Sequence, residues 1–105
     1  MSTGPAKGTA SDLSSLDRLI HAPARLAIMT ILAAVTSADF IYLRRETELT
    51  EGNLSTHLSK LEDAGYIQVE KSFQDKRPHT DYKLTAKGSQ AFDAYVTQIR
   101  GALGS

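Results

Sequence analysis

Residues 50–67 read Thr50-Glu51-Gly52-Asn53-Leu54-Ser55-Thr56-His57-Leu58-Ser59-Lys60-Leu61-Glu62-Asp63-Ala64-Gly65-Tyr66-Ile67. Two periods meet in this stretch. Leu54, Leu58 and Leu61 recur at i, i+4 and i+7, the inner stripe of an α-helix. Thr50 stands at the N-cap position, where its hydroxyl can accept a backbone N–H that has no partner within the helix. Gly65 stands where the helix should stop, because a left-handed residue there carries no penalty when it lacks a Cβ. From Tyr66 the apolar period falls to two, the mark of a strand. The stretch therefore predicts a helix over 50–64 that runs straight into a strand. With the leucines inward, Gly52, Ser55, Thr56, Ser59 and Asp63 point away, and Asn53 and Lys60 lie on the flank. Solvated helices usually carry Glu, Lys and Arg on that side. This one carries mostly small groups.

Upstream, Ser14 and Asp17 have the spacing of a capping box, with Leu16, Leu19 and Ile20 as the apolar face of a short first helix. Pro23 suits the first turn of a second helix. Leu26, Ile28, Met29, Ile31, Leu32 and Val35 make its broad apolar face, so this is the expected central helix. Thr36-Ser37-Ala38-Asp39 is a break. Phe40, Ile41 and Leu43 belong to a short third helix ending near Thr47, and Leu49 is a buried plug in the turn that follows. Downstream, residues 66–73 and 79–84 read as two strands joined by the polar turn Gln74-Asp75-Lys76-Arg77-Pro78. Tyr82 and Leu84 share one face of the second strand. Thr85 caps a last helix with Phe92, Tyr95, Val96, Ile99 and Leu103 as its apolar residues.

The 105 residues suffice for one domain with a single core. Residues 1–11, rich in Gly, Ser, Thr and Ala, are expected to be a flexible arm, and residues 12–104 the domain proper. There is no apolar run of membrane-spanning length and no secretory core near the N-terminus. Cysteine is absent, which excludes disulfides and thiolate metal sites and fits a reducing cytoplasm. The three histidines, at 21, 57 and 79, are too scattered to suggest a metal site, and no motif calls for a cofactor. No nucleophile-base pair, phosphate-cradling loop or carboxylate pair stands in a credible context, so no enzyme is expected. Formal net charge is zero, but five basic residues face two acidic ones between Lys71 and Lys87, a local excess of three.

The fold class that follows is α+β and mainly helical, in the order α-α-α-α-β-β-α. Two short helices joined by a polar turn, followed at once by a basic hairpin, make a helix-turn-helix with a wing. A major groove about 12 Å wide admits one α-helix, and small side chains let its axis approach the base edges. Gly52, Asn53, Ser55, Thr56, Ser59 and Lys60 are thus candidate DNA contacts. Lys76 and Arg77 at the hairpin tip are candidates for phosphate or minor-groove contact.

From Leu16 to about Arg100 the chain resembles the winged-helix transcriptional regulators related to the MarR and ArsR families, closest to a small single-domain branch. The residues carrying the match are Pro23-Ala24-Arg25-Leu26-Ala27-Ile28, Asp39-Phe40, the run from Gly52 to Ile67 and the run from Thr80 to Gly88. Its most specific part is Leu54-Ser55-x-His57-Leu58-x-x-Leu61-Glu62-x-x-Gly65-Tyr66-Ile67. The resemblance implies a dimeric regulator of double-stranded DNA whose helix 50–64 enters the major groove. The thiolate metal-sensing motif of those families is missing.

Each singled-out residue also has a purely structural reading. His57 lies near the core stripe and is expected to pack or to bond backbone more than to read a base. Arg25 can form an intramolecular ion pair or meet a phosphate, and Arg44 and Arg45 can serve a helix C-terminus or a phosphate. Two-fold symmetry suits a small chain reading one groove, so a homodimer through the first and last helices is expected, with the wing, residues 73–80, fixing position. Two other readings stay open at this level. One is a winged-helix protein-interaction module, which zero net charge would suit. The other is a ligand-responsive sensor whose small-molecule effector no polar cluster identifies.

Overall fold

The computed structural model describes residues 15–104. Its elements are α1 (Pro23–Ala33), β1 (Ala38–Asp39), α2 (Phe40–Thr47), α3 (Glu51–Asp63), β2 (Ile67–Gln74), β3 (Arg77–Leu84) and α4 (Ala86–Ala102). The fold is a winged helix, mainly helical. The three strands form an antiparallel sheet in the order β1-β3-β2. Among the described residues no helix is long and apolar enough to cross a membrane.

The caps explain where the helices begin and end. Pro23 opens α1, whose preceding residue, Ala22, gives no side-chain cap. Asp39 accepts from the Tyr42 N–H, Thr50 from Asn53 and Thr85 from Gly88. At the end of α3 the Gly65 N–H reaches the Glu62 carbonyl and the Tyr66 N–H reaches Leu61. With Gly65 at φ 80° this is a Schellman closure, which turns the chain directly into β2.

One core joins the elements. Ile28, Met29 and Leu32 of α1 meet Leu43 of α2, the three leucines of α3, Ile67, Tyr82 and Tyr95. The expected inner stripe of α3 is buried throughout, with Leu58 only 3% exposed.

Several expectations need correction. Residues 15–22 form turns and not a helix; Ser14 lies outside the described residues, as does the expected arm 1–11. Asp17 acts as a cap itself, its Oδ1 accepting from Leu19 and Ile20. A third strand, β1, occupies part of the expected break, and Asp39 both pairs with Asp81 and caps α2. The five-residue turn shrinks to Asp75-Lys76, both left-handed at φ 51° and 67°, as a type I′ hairpin requires. Arg77 and Pro78 already belong to β3. Gln74 and Arg77 close the turn, so Phe73 and Pro78 are a non-hydrogen-bonded pair and proline sacrifices no ladder bond. Finally, Ile41 is 72% exposed and does not join the core face of α2, Val35 lies beyond the end of α1 in solvent, and Leu49 is only half-buried.

The start of α4 is locked to the end of α3. Thr85 Oγ1 donates to the Gly65 carbonyl at 2.6 Å, and the Thr85 N–H donates to the Tyr66 carbonyl at 3.0 Å. Gly88 lies so close that a Cβ there would stand 2.0 Å from the Tyr66 oxygen. Gly88→Ala must push backbone from backbone, and we expect a loss of at least about 2 kcal/mol in urea denaturation. Gly101→Ala, also in α4 but in open space, should leave stability unchanged or raise it by about 0.5 kcal/mol.

Candidate nucleic-acid interface

Helix α2, the turn 48–50 and α3 form the helix-turn-helix. Glu48, left-handed at φ 58°, ends α2 and lets Thr50 begin the next helix. Arg44 and Arg45 occupy the last turn of α2, where cations face the negative end of the helix dipole. Arg44 lies 3.9 Å from Glu51 across the turn, an exposed pair of little energetic weight. Arg45 stacks over the Tyr42 ring at 5.7 Å.

The core leucines of α3 turn its small polar side outward. Gly52, Asn53, Ser55, Thr56, Ser59 and Lys60 are all exposed, and a Cβ on Gly52 would meet nothing within 4 Å. The side chains of Asn53, Ser55, Ser59 and Lys60 take no hydrogen bond among the described residues. Thr56 differs: its hydroxyl donates to the Gly52 carbonyl at 3.0 Å. Its proton is engaged, so toward an outside group it can only accept. Lys76 and Arg77 are exposed at the far end of the β2–β3 ribbon and form no ion pair among the described residues. The eight candidates therefore form two groups, six on α3 and two at the tip of the wing.

Several other polar residues serve the fold. Arg25 Nε donates to the Leu19 carbonyl at 2.6 Å, and its Nη1 lies 3.0 Å from His57 Nδ1. Arginine has only donors, so His57 accepts at Nδ1 and carries its proton on Nε2. Burial, then the charges of Arg25 and Lys60, hold His57 below its ordinary value. Tyr66, just past α3, donates to Asp17 Oδ2. That bond first, then burial and the Asp17 charge, pushes the Tyr66 hydroxyl up to about 12. His21 Nδ1 meets the Tyr95 hydroxyl of α4 at 2.7 Å, and Gln98 donates to Ser15 at 3.0 Å. The turn 15–22 thus ties α1, α3 and α4 together. His79 pairs with Asp81 at 3.1 Å on the wing. The three histidines face three different partners, and among the described residues no cluster of metal-ligand type occurs. Sequence reasoning left the role of Arg25 open and did not see the Asp17–Tyr66 bond. Both are long-range pairings with no local signature.

Residues 24–103 match the family model described as the winged helix DNA-binding domain. The chain is 35% identical over 82 residues to an uncharacterised protein of Methanocaldococcus jannaschii, across 78% of this chain and 89% of that protein. It is similar to the transcriptional regulator homologue protein of Pyrococcus horikoshii, with TM-score 0.83, 26% identity, and coverage of 89% of this chain and 94% of that one. A MarR-family transcriptional regulator of Silicibacter pomeroyi shares the fold, with TM-score 0.65 and 20% identity over 91% of this chain and 64% of its own.

The Arg25–His57 contact exists only with a neutral ring. A lowered folded value means that the unfolded chain takes up a proton first. The stability that this neutral ring contributes is complete above pH 6.5 and is lost as pH falls through the lowered folded value. The melting temperature of the wild type should therefore drop more than that of His57→Gln when pH is lowered from above 6.5 to about 5. Equal drops would show that His57 does not titrate in this way.

Proposed function

Because the chain belongs to the family of winged-helix DNA-binding domains, we propose that it is a sequence-specific regulator binding double-stranded DNA as a homodimer, with α3 in the major groove and the wing on phosphate or minor groove. The family and fold are those of DNA-binding transcriptional regulators and not of enzymes. The observation that carries the finer reading is the outer face of α3. It is small, polar and exposed, and a ribbon with Lys76 and Arg77 at its tip follows the same helix-turn-helix.

Chemistry divides the labour. Asn53 offers a donor and an acceptor to an adenine edge, and Ser55 and Ser59 offer short hydroxyls. Thr56, with its proton engaged, accepts from an exocyclic amine of cytosine or adenine. Gly52 leaves the first turn of α3 without a side chain to hold DNA away. Lys60 reaches outward from the flank toward phosphate. Lys76 sits in a left-handed conformation that glycine would adopt at about 1 kcal/mol less. A cation held there at conformational cost supports a role for its charge. Arg77, its neighbour, supplies the second charge. The stretch 71–87 holds five basic residues against two acidic ones, but Lys87 belongs to α4 and Glu70 to β2, so the ribbon 67–84 carries four against three and its attraction for DNA rests on Lys76 and Arg77 at the tip.

For the dimer, α4 is the supporting element. Along its seventeen residues only Gly88 and Tyr95 are buried. Phe92, Val96 and Ile99 remain partly exposed, and Leu103, just past the helix, is 77% exposed. An apolar stripe half covered within one chain can be completed by a second copy. The expected contribution of a first helix is withdrawn, since residues 15–22 are turns; the proposed dimer face rests on α4.

Labelled duplex of random sequence should bind the wild-type chain, with log affinity falling linearly in log salt by about 0.9 per phosphate contact. Absence of binding at low salt and micromolar protein contradicts the DNA reading and leaves a protein-interaction role. Arg77→Ala should weaken every sequence alike and reduce the salt slope by about 1. Asn53→Ala should relax preference at one base position at a cost of roughly 1–3 kcal/mol. Should the two variants behave identically, the division between helix and wing fails. Light scattering should give twice the 11.4 kDa of one chain; a monomer at high concentration contradicts the dimer.

A further inference from the structure

Phe73 is 76% exposed, and its cross-strand partner Pro78 is exposed as well. Neither contributes to the core. Strand parity fixes the direction in which they face. Ile67, Val69, Lys71 and Phe73 alternate onto one side of β2, and their partners on β3 are Leu84, Tyr82, Thr80 and Pro78. At its base this side enters the core through Ile67 and Tyr82. Beyond the core the same side continues into solvent, with Phe73 and Pro78 near its end. It is the side of the ribbon on which the helices lie, α3 among the elements that pack on β2.

Charge differs from one part of the wing to another. The hollow over the Phe73–Pro78 pair is lined by Lys71, Ser72, Phe73, Pro78, His79 and Thr80, without a carboxylate. The cleft between the wing and Ile41 includes Asp75 in one part and Asp39 in another. Pro78 and His79 line both, and Arg77 lines the cleft together with Asp75, so the contrast rests on the Phe73 side, where the hollow holds Lys71 and no carboxylate. The first surface also adjoins the tip, where Lys76 and Arg77 outnumber Asp75, so apolar bulk and net positive charge lie within a few residues of each other.

We propose that Phe73 and Pro78 form an apolar wedge that the wing sets into the minor groove of duplex DNA, bending it. The inference rests on the DNA-binding reading above and deepens it. Proteins that bend DNA from the minor groove press residues such as Phe and Pro against a base step, unstack it and kink the duplex by about 20–90°. The ribbon suits that task. Its turn has only two residues, its ladder is paired from Ile67–Leu84 to Gln74–Arg77, and Pro78 removes a backbone rotation beside the wedge. Lys71 on the same side and Arg77 beside the tip are placed to meet the phosphates that line the groove. Bending favours flexible pyrimidine–purine steps, so the wedge adds preference at positions that α3 does not touch.

The test uses the full chain and a duplex rich in TA steps, labelled at its two ends for energy transfer. Saturating wild-type protein should raise transfer between the ends, and Phe73→Ser at saturation should not. Phe73 lies outside the core, so the variant should keep the wild-type melting temperature and sizing profile. Binding without a rise in transfer, or an equal rise with Phe73→Ser, overturns the wedge while leaving the DNA reading intact. No binding at all overturns both. Loss of dimerisation in Phe73→Ser places the residue between subunits and overturns the wedge.

Discussion

The carbonyl of Tyr66 fixes the relation between the two ends of the domain. It accepts the Thr85 N–H, while the glycine at 88 brings the first turn of α4 against it. One residue earlier, the Gly65 carbonyl accepts the Thr85 hydroxyl. The Schellman closure of α3 delivers both carbonyls, and the cap of α4 consumes them. The exit of α3 and the entry of α4 are thus one hydrogen-bonded unit, and the ribbon of β2 and β3 is the loop that leaves and returns through it. The hydroxyl of Tyr66 adds a tie to Asp17, so the turn before α1 joins the same junction.

Around that junction, polar and apolar residues are sorted by task. Leucines fill the inner side of α3, and none of the candidate DNA contacts on its outer side is needed for packing. Arg25 and His57 flank the helix and are satisfied within the protein. This separation explains how a neutral chain can carry a nucleic-acid surface. Its acidic groups include Asp17, Asp39 and Glu51, which cap, tie or pair. Cations at 60, 76 and 77 remain outward. Electrostatic attraction depends on which charges reach the ligand, and the total charge does not report that.

Local signals made much of this legible in the sequence. Thr50, the leucine stripe and Gly65 bound α3 because caps and periodicity are read within a single turn. Thr85 was equally plain, since its partner is Gly88. Long-range pairings were not. Strand β1 has two residues and exists only through Asp81 and Tyr82, more than forty positions away. The Arg25–His57 and Asp17–Tyr66 bonds span similar gaps. Asp17 misled because the spacing that suits a capping box also suits an aspartate capping its own turn. The hairpin turn was read too long because Lys76 is an unusual occupant of a left-handed position. Ile41 counts among the apolar residues of α2 in the sequence, but its place on the helix turns it away from the core. For the candidate DNA contacts, the sequence supplies what each group can donate or accept, and the fold adds that each is exposed.

The Tyr66 junction has a mechanical consequence. In a dimer joined along α4, each α3 would be carried on a lever whose fulcrum is the contact between Gly88 and Tyr66. The fulcrum is backbone against backbone, so it has little give. A change in the angle at which the two copies of α4 cross would therefore be passed on to the distance between the two α3 helices. DNA half-sites recur at a fixed pitch of about 34 Å. Any influence that tilts α4 would be converted into a mismatch of spacing, without altering a single group on the reading face.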